Sequence, residues 1–177
     1  MTEPRPRRRW EIDLLIEDRA WRSTVPAAAS TARRAARRAL ADIGAPPGGL
    51  VLVLSSDREV RVLNRDFRGA DKPTNVLSFP DFPSAGRFGD IVVARETLLR
   101  EAAAQGKSAR QHLAHLVVHA VLHLFGFDHD CRLAAERMEW RERRILADLA
   151  VPDPYRLAGS GPLRSSEQGS QHNGMRR

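Results

Sequence analysis

Cysteine is nearly absent. Cys131 is the only one in 177 residues, so no disulfide can close within the chain. That suits a reducing compartment, and a cytoplasmic location is the expectation. Long apolar runs are also missing. The most apolar stretch, Leu113 to Phe127, is interrupted by His115, His119 and His123 and is too short to span a bilayer, so no membrane role is expected. The N-terminal arginines have no apolar segment behind them, which argues against a secretory signal. What remains is ordinary for a soluble globular protein: 42% hydrophobic and 29% charged residues, in a length that suits one domain.

The formal charge of +7 is unevenly distributed. Residues 1–9 hold four arginines against one glutamate, and residues 157–177 hold three arginines against one glutamate. The segment 10–156 is close to balanced, with 22 basic and 20 acidic residues. The chain is therefore expected to divide into a disordered basic arm (1–9), one folded domain (10–156) and a disordered Gly/Ser/Gln-rich tail (157–177). Basic tails raise nonspecific affinity for RNA and other polyanions, or simply remain solvated.

Periodicity sketches the elements between the tails. Glu11 to Asp18 alternates around Ile12, Leu14 and Ile16, as a strand does. Ala27 to Ile43 is a good helix former with Arg33, Arg34, Arg37 and Arg38 on its exposed side. Leu50 to Ser55 is a short apolar strand. Asp57 is a candidate cap for a helix whose apolar positions are Val60, Leu63 and Phe67. Asn75 to Phe79 and Asp90 to Ala94 read as two further strands, and Glu96 to Gln105 as a helix. Ser108 and Gln111 form a capping-box pattern before a long apolar helix, Ala109 to Phe125, which Gly126 stops. A last helix covers about Cys131 to Leu149, with Asp130 as its candidate cap. The expected fold class is α+β: one compact domain, a small mixed sheet packed by helices, and a metal site at the end of the central long helix.

Five of the six histidines fall between positions 112 and 129. His119 and His123 are one helical turn apart and share a face, so their imidazoles can converge on one ion. Gly126 lets the chain turn back and brings His129 within reach as a third ligand. Three protein ligands leave a fourth position for water, the arrangement of catalytic rather than structural zinc. Imidazole also suits nickel and iron, so spacing alone does not name the metal. His115 falls outside this ligand set, His112 reads as exposed, and Cys131 as a free thiol. Asp128 either orients a histidine or caps a turn. Ala120 occupies the position where the zinc-protease pattern H-E-x-x-H carries its glutamate base, which counts against peptidase chemistry.

A second signature lies upstream. Residues 63–80 read Leu-Asn-Arg-Asp-Phe-Arg-Gly-Ala-Asp-Lys-Pro-Thr-Asn-Val-Leu-Ser-Phe-Pro, followed by Gly89-Asp90-Ile91. Together with His-Ala-Val-Leu-His-Leu-Phe-Gly-Phe-Asp-His at 119–129, this closely resembles the YbeY family of bacterial metalloendoribonucleases over roughly residues 50–150. Ala120 stands where the family usually has glycine, and the stretch after His129 is less acidic than usual. The resemblance implies a zinc-dependent endoribonuclease that cuts single-stranded RNA in 16S rRNA 3′-end maturation and ribosome quality control. It implies zinc on His119, His123 and His129, a functionally important Arg68, and an aspartate at Asp90. It also implies contacts with the small ribosomal subunit, a ribosomal protein and the Era GTPase.

The side chains agree with that chemistry. Arg68 can hold a phosphate through its guanidinium fork, and Lys72 can add phosphate affinity. Asp90 can orient the loop or the zinc site. Phe79, Phe82 and Phe88 can stack on unpaired bases or pack in the core. Attack by water and attack by the RNA 2′-hydroxyl both remain open. The competing readings are another metallohydrolase, such as a peptidase, and a ribosome-assembly factor with structural zinc.

Overall fold

Alternating apolar residues build the sheet, and buried alanines build one of the helices packed behind it. In the computed structural model, which describes residues 10–81, 86–128 and 131–156, ten elements follow one another. They are β1 (Trp10–Ile16), α1 (Trp21–Thr24), α2 (Ala28–Asp42), β2 (Gly48–Ser55), α3 (Asp57–Arg68), β3 (Val76–Pro80), β4 (Arg87–Ala94), α4 (Arg95–Ala104), α5 (Ala109–Leu124) and α6 (Arg132–Asp148). The expected arm (1–9) and tail (157–177) lie outside the described residues, as do Phe82, His129 and Asp130.

The four strands form one mixed sheet in the order β1-β2-β4-β3. β1 and β2, and β2 and β4, pair in parallel; β3 pairs antiparallel to β4 and forms one edge. Leu50, Leu52 and Leu54 of β2 and Ile91 and Val93 of β4 join the main core with α2, α5 and α6. Val92 and Leu77 point to the opposite face, where Val60 of α3 completes a second, smaller cluster. Successive strand residues face opposite sides, so one strand feeds both layers. Where no helix covers that second face the residues are open to solvent, as Leu15 on β1 is.

Ala32, Ala35, Ala36 and Ala39 are fully buried on α2, which packs against α5. Their small side chains let the two helices approach closely. α5 is thus held between α2, α4, α6 and the β3–β4 side of the sheet. Its start carries the expected capping box: Ser108 accepts from the Gln111 backbone, and the Gln111 side chain accepts from the Ser108 backbone. Gly126, at φ +80°, ends it, and the Phe127 amide returns to the Leu122 carbonyl.

Two expectations change in detail, and one short helix is new. Ser56, not Asp57, caps α3, accepting from the Glu59 amide. Asp57 instead lies in the first turn, where its carboxylate accepts from the Thr97 amide and pairs with Arg100, tying α3 to α4. His112 is buried rather than exposed, because α4 packs over it and Glu101 meets its Nε2 at 2.8 Å. Burial holds this imidazole below its ordinary pKa, against the opposing pull of Glu101. Trp21, in a short helix that no periodicity announces, is fully buried and donates its indole N–H to the Ser55 carbonyl.

One glycine is sterically required at the sheet edge. Gly89 has φ +136°, and a Cβ there would stand 2.1 Å from the Phe79 carbonyl oxygen. The antiparallel β3–β4 contact therefore depends on the Gly in the Gly89-Asp90-Ile91 segment. No helix among the described residues is long and apolar enough to cross a membrane.

Candidate metal centre

α5 carries four histidines down one stripe: His112, His115, His119 and His123. Spacings of three and four residues keep them on one face. Ring centroids of His115 and His119 are 6.2 Å apart, and those of His119 and His123 only 4.5 Å. The last pair turns its Nε2 atoms toward each other, 3.1 Å apart. Two nitrogens of a tetrahedral zinc site, each about 2.0–2.1 Å from the ion, would be about 3.3 Å apart. The two donors thus fit zinc in spacing as well as in chemistry. His119 and His123 are both partly exposed, at the C-terminal end of the helix.

Behind the histidines sits a carboxylate that the sequence reading missed. Glu142 of α6 is fully buried. Its Oε1 is 2.7 Å from His119 Nδ1, and its Oε2 is 3.3 Å from His115 Nε2. The Tyr155 hydroxyl donates to the same Oε2. Burial would raise the Glu142 pKa, but hydrogen bonds from His115, His119 and Tyr155 prevail and hold it at about 2. Burial, followed by the hydrogen bond to Glu142, pushes the Tyr155 hydroxyl well above the usual phenol range. Glu142 is thus an anion inside the protein, and three donors hold it there.

This arrangement offers two ways to hold an ion. His115, His119 and Glu142 each bring a ligand atom within 4.8 Å of the others, a group that could hold a metal. Alternatively, Glu142 accepts a hydrogen bond from a protonated His119 Nδ1, which leaves the Nε2 lone pair facing His123. Carboxylates commonly fix metal-ligating histidines in this way. The second use is the one open to solvent, since Glu142 is fully buried whereas His123 is not. His115 Nε2 meets Glu142, and its Nδ1 is buried without a hydrogen-bond partner among the described residues.

The other candidates lie on α3, on the loop that follows it and on β4. Arg68 is exposed at the end of α3, and its Nη2 donates to the Ser78 carbonyl at 3.3 Å. Lys72 is exposed, and Asn64 fixes its loop by donating to the Lys72 carbonyl at 2.8 Å. Asp90 faces Phe79 across the β3–β4 ladder and pairs with Arg87 at 2.7 Å. No hydrogen bond or ion pair joins Arg68, Lys72 or Asp90 to the histidines among the described residues. α5 nevertheless packs on β3, the strand whose backbone Arg68 touches. Phe79 is half-buried against the small cluster, and Phe88 is half-buried against Phe125 with centroids 5.1 Å apart. Cys131 is an exposed free thiol, as expected.

The fold and this histidine–carboxylate cluster define an α+β protein with a group able to hold a metal ion on its central helix. Comparison with known proteins makes the assignment specific. Residues 15–150 match the family described as Endoribonuclease YbeY. The chain is 51% identical to the Endoribonuclease YbeY of Azorhizobium caulinodans, an alignment covering 85% of this chain and 99% of that protein. It is 53% identical to the protein of the same name from Halorhodospira halophila, over 61% of this chain and 75% of the relative. A Thermotoga maritima protein solved in solution shares the fold, with a TM-score of 0.52 at 22% identity, covering 85% of this chain and 99% of that one. The chain belongs to the YbeY endoribonuclease family.

Proposed function

We propose that this protein is a zinc-dependent endoribonuclease that cuts single-stranded RNA. Its metal ligands are His119, His123 and His129. The observation that carries the reading is the convergence of His119 and His123 Nε2 at 3.1 Å, with buried Glu142 fixing the other nitrogen of His119. His129 follows Gly126, whose positive φ starts the chain's return, and supplies the third nitrogen. A zinc ion bound there supplies Lewis-acid chemistry, polarising a phosphoryl oxygen or an attacking hydroxyl.

The remaining groups act on the substrate. Arg68 donates to a neutral carbonyl and pairs with no carboxylate among the described residues, so its charge is available to a phosphate. Arg61, Arg65 and Arg100 are each matched by an aspartate. Lys72, exposed on the loop after α3, adds a second cation. Asp90, through Arg87, steadies the start of β4. The family reading extends to 16S rRNA 3′-end maturation and ribosome quality control in the cytoplasm. It also extends to contacts with the small ribosomal subunit, one of its proteins and the Era GTPase. The basic segments 1–9 and 157–177 add distributed, salt-sensitive affinity for RNA.

Arg68 tests the substrate half of this reading. Arg68→Ala should keep zinc and melting temperature but slow single-turnover cleavage of single-stranded RNA by on the order of a hundredfold. Arg68→Lys should rescue only in part, because an ammonium lacks the planar fork. Wild-type cleavage by a folded, zinc-loaded Arg68→Ala protein would remove Arg68 from the mechanism. End-group analysis of the same products settles the nucleophile: a 2′,3′-cyclic phosphate marks attack by the RNA hydroxyl, and its absence marks water.

A further inference from the structure

Helical spacing assigns Phe67 to the apolar stripe of α3, one turn beyond Leu63 and two beyond Val60. Val60 is fully buried and Leu63 partly so, but Phe67 is 69% exposed, the most open of the large hydrophobic side chains described. It touches Phe79 of the edge strand β3 edge-on, with centroids 5.2 Å apart and ring planes at 66°. Phe79 is itself anchored in the small cluster under α3. The pair therefore forms one fixed ring and one ring standing in solvent. Phe67 is adjacent in sequence to Arg68, the one arginine of α3 with no carboxylate partner among the described residues, and Arg68 touches the backbone of Ser78, next to Phe79.

We infer that Phe67, braced by Phe79, is a stacking platform for an unpaired RNA base, and that Arg68 takes the phosphate of that nucleotide. This rests on the endoribonuclease reading and deepens it by naming what selects single strands. A base in a duplex has neighbours on both faces and cannot stack on a protein ring, whereas an unpaired base can. Stacking on an aromatic ring tolerates any base, because every base has a π-face. Charge complementarity commits the surface to a nucleic acid. Arg68, beside the ring, pairs with no carboxylate among the described residues, while Arg61 and Arg65 further back along α3 already carry aspartates. Beyond that contact with Phe79, packing gives no reason for a phenylalanine at a position this open to solvent.

The test uses the full chain, loaded with zinc, and equilibrium binding of a short single-stranded RNA and of its blunt duplex, both built with cleavage-resistant linkages that keep the negative charge. Phe67→Leu keeps an apolar contact with Phe79 but removes the ring. It should weaken single-strand binding on the order of tenfold, with duplex binding and melting temperature unchanged. The salt dependence of binding should also stay the same, since no phosphate contact is lost. Phe67→Trp should bind the single strand at least as tightly as the wild type, a rescue that a merely structural contact would not give. Equal single-strand affinity for wild type and Phe67→Leu overturns the inference, as does an equal loss on both RNAs. Wild-type protein that binds no single-stranded RNA strikes the endoribonuclease reading itself and the platform with it, so the two failures are distinguishable.

Discussion

Zinc content should fall from about one per chain to nearly none in His119→Ala and in His123→Ala, and stay close to one in His115→Ala. The expectation follows from which nitrogens face solvent. His119 is common to both ways of holding an ion, so its loss empties the site under either. His123 and His115 separate them. If the ion sits at the exposed end of the helix, His123 is a ligand, and His115 only buttresses Glu142. If the ion sits among His115, His119 and Glu142, the outcome reverses: His115→Ala loses the metal and His123→Ala keeps it. That inner group is a poor catalytic site, because Glu142 is fully buried and already accepts from Tyr155. A reacting phosphodiester needs an open coordination position. Elemental analysis of the three purified variants decides between the arrangements.

Glu142 is where the largest loss of stability is expected. Glu142→Ala removes the acceptor for His115, His119 and Tyr155 in the protein interior. Unmade buried hydrogen bonds cost about 1–3 kcal/mol each, so a loss of about 3 kcal/mol or more is expected. For a domain of this size that is a fall in melting temperature of about 10 °C. Glu142→Gln is the more informative variant. Its volume is unchanged, but its amide nitrogen must meet one of the same donors. If Glu142 orients His119 from behind, Glu142→Gln should weaken zinc binding about 10–100-fold without abolishing it. Competition with a chelator of known affinity measures this. Wild-type zinc affinity in a folded Glu142→Gln protein would show that the carboxylate serves packing alone.

The parts of the site within one segment were legible; those assembled by tertiary packing were not. The capping box at Ser108, the stop at Gly126 and the shared face of His119 and His123 depend on neighbours in sequence, and the structure has all three. Glu142 is 23 residues from His119 and is surrounded by arginines and glutamates, so it looks like one more surface charge. A signal was available: Met138, Ile145 and Leu146 mark the apolar face of α6, and Glu142 falls on that face. A carboxylate on an apolar stripe needs a buried partner, and the unassigned His115 was one candidate. His112 was misread for the converse reason, since only the packing of α4 shows that it is covered. The strand order β1-β2-β4-β3 likewise depends on long-range pairing that the short strands do not encode locally. Phe67 follows the helical period yet escapes the core, because α3 outruns the small cluster beneath it.

The most direct test of the account is single-turnover cleavage of a single-stranded RNA by protein stripped of metal and then given one equivalent of zinc. The histidine pair predicts cleavage that falls at least a hundredfold on stripping and returns with zinc. It also predicts that His123→Ala, folded and treated identically, does not recover. Undiminished cleavage by the stripped protein, or full recovery by His123→Ala, would contradict it.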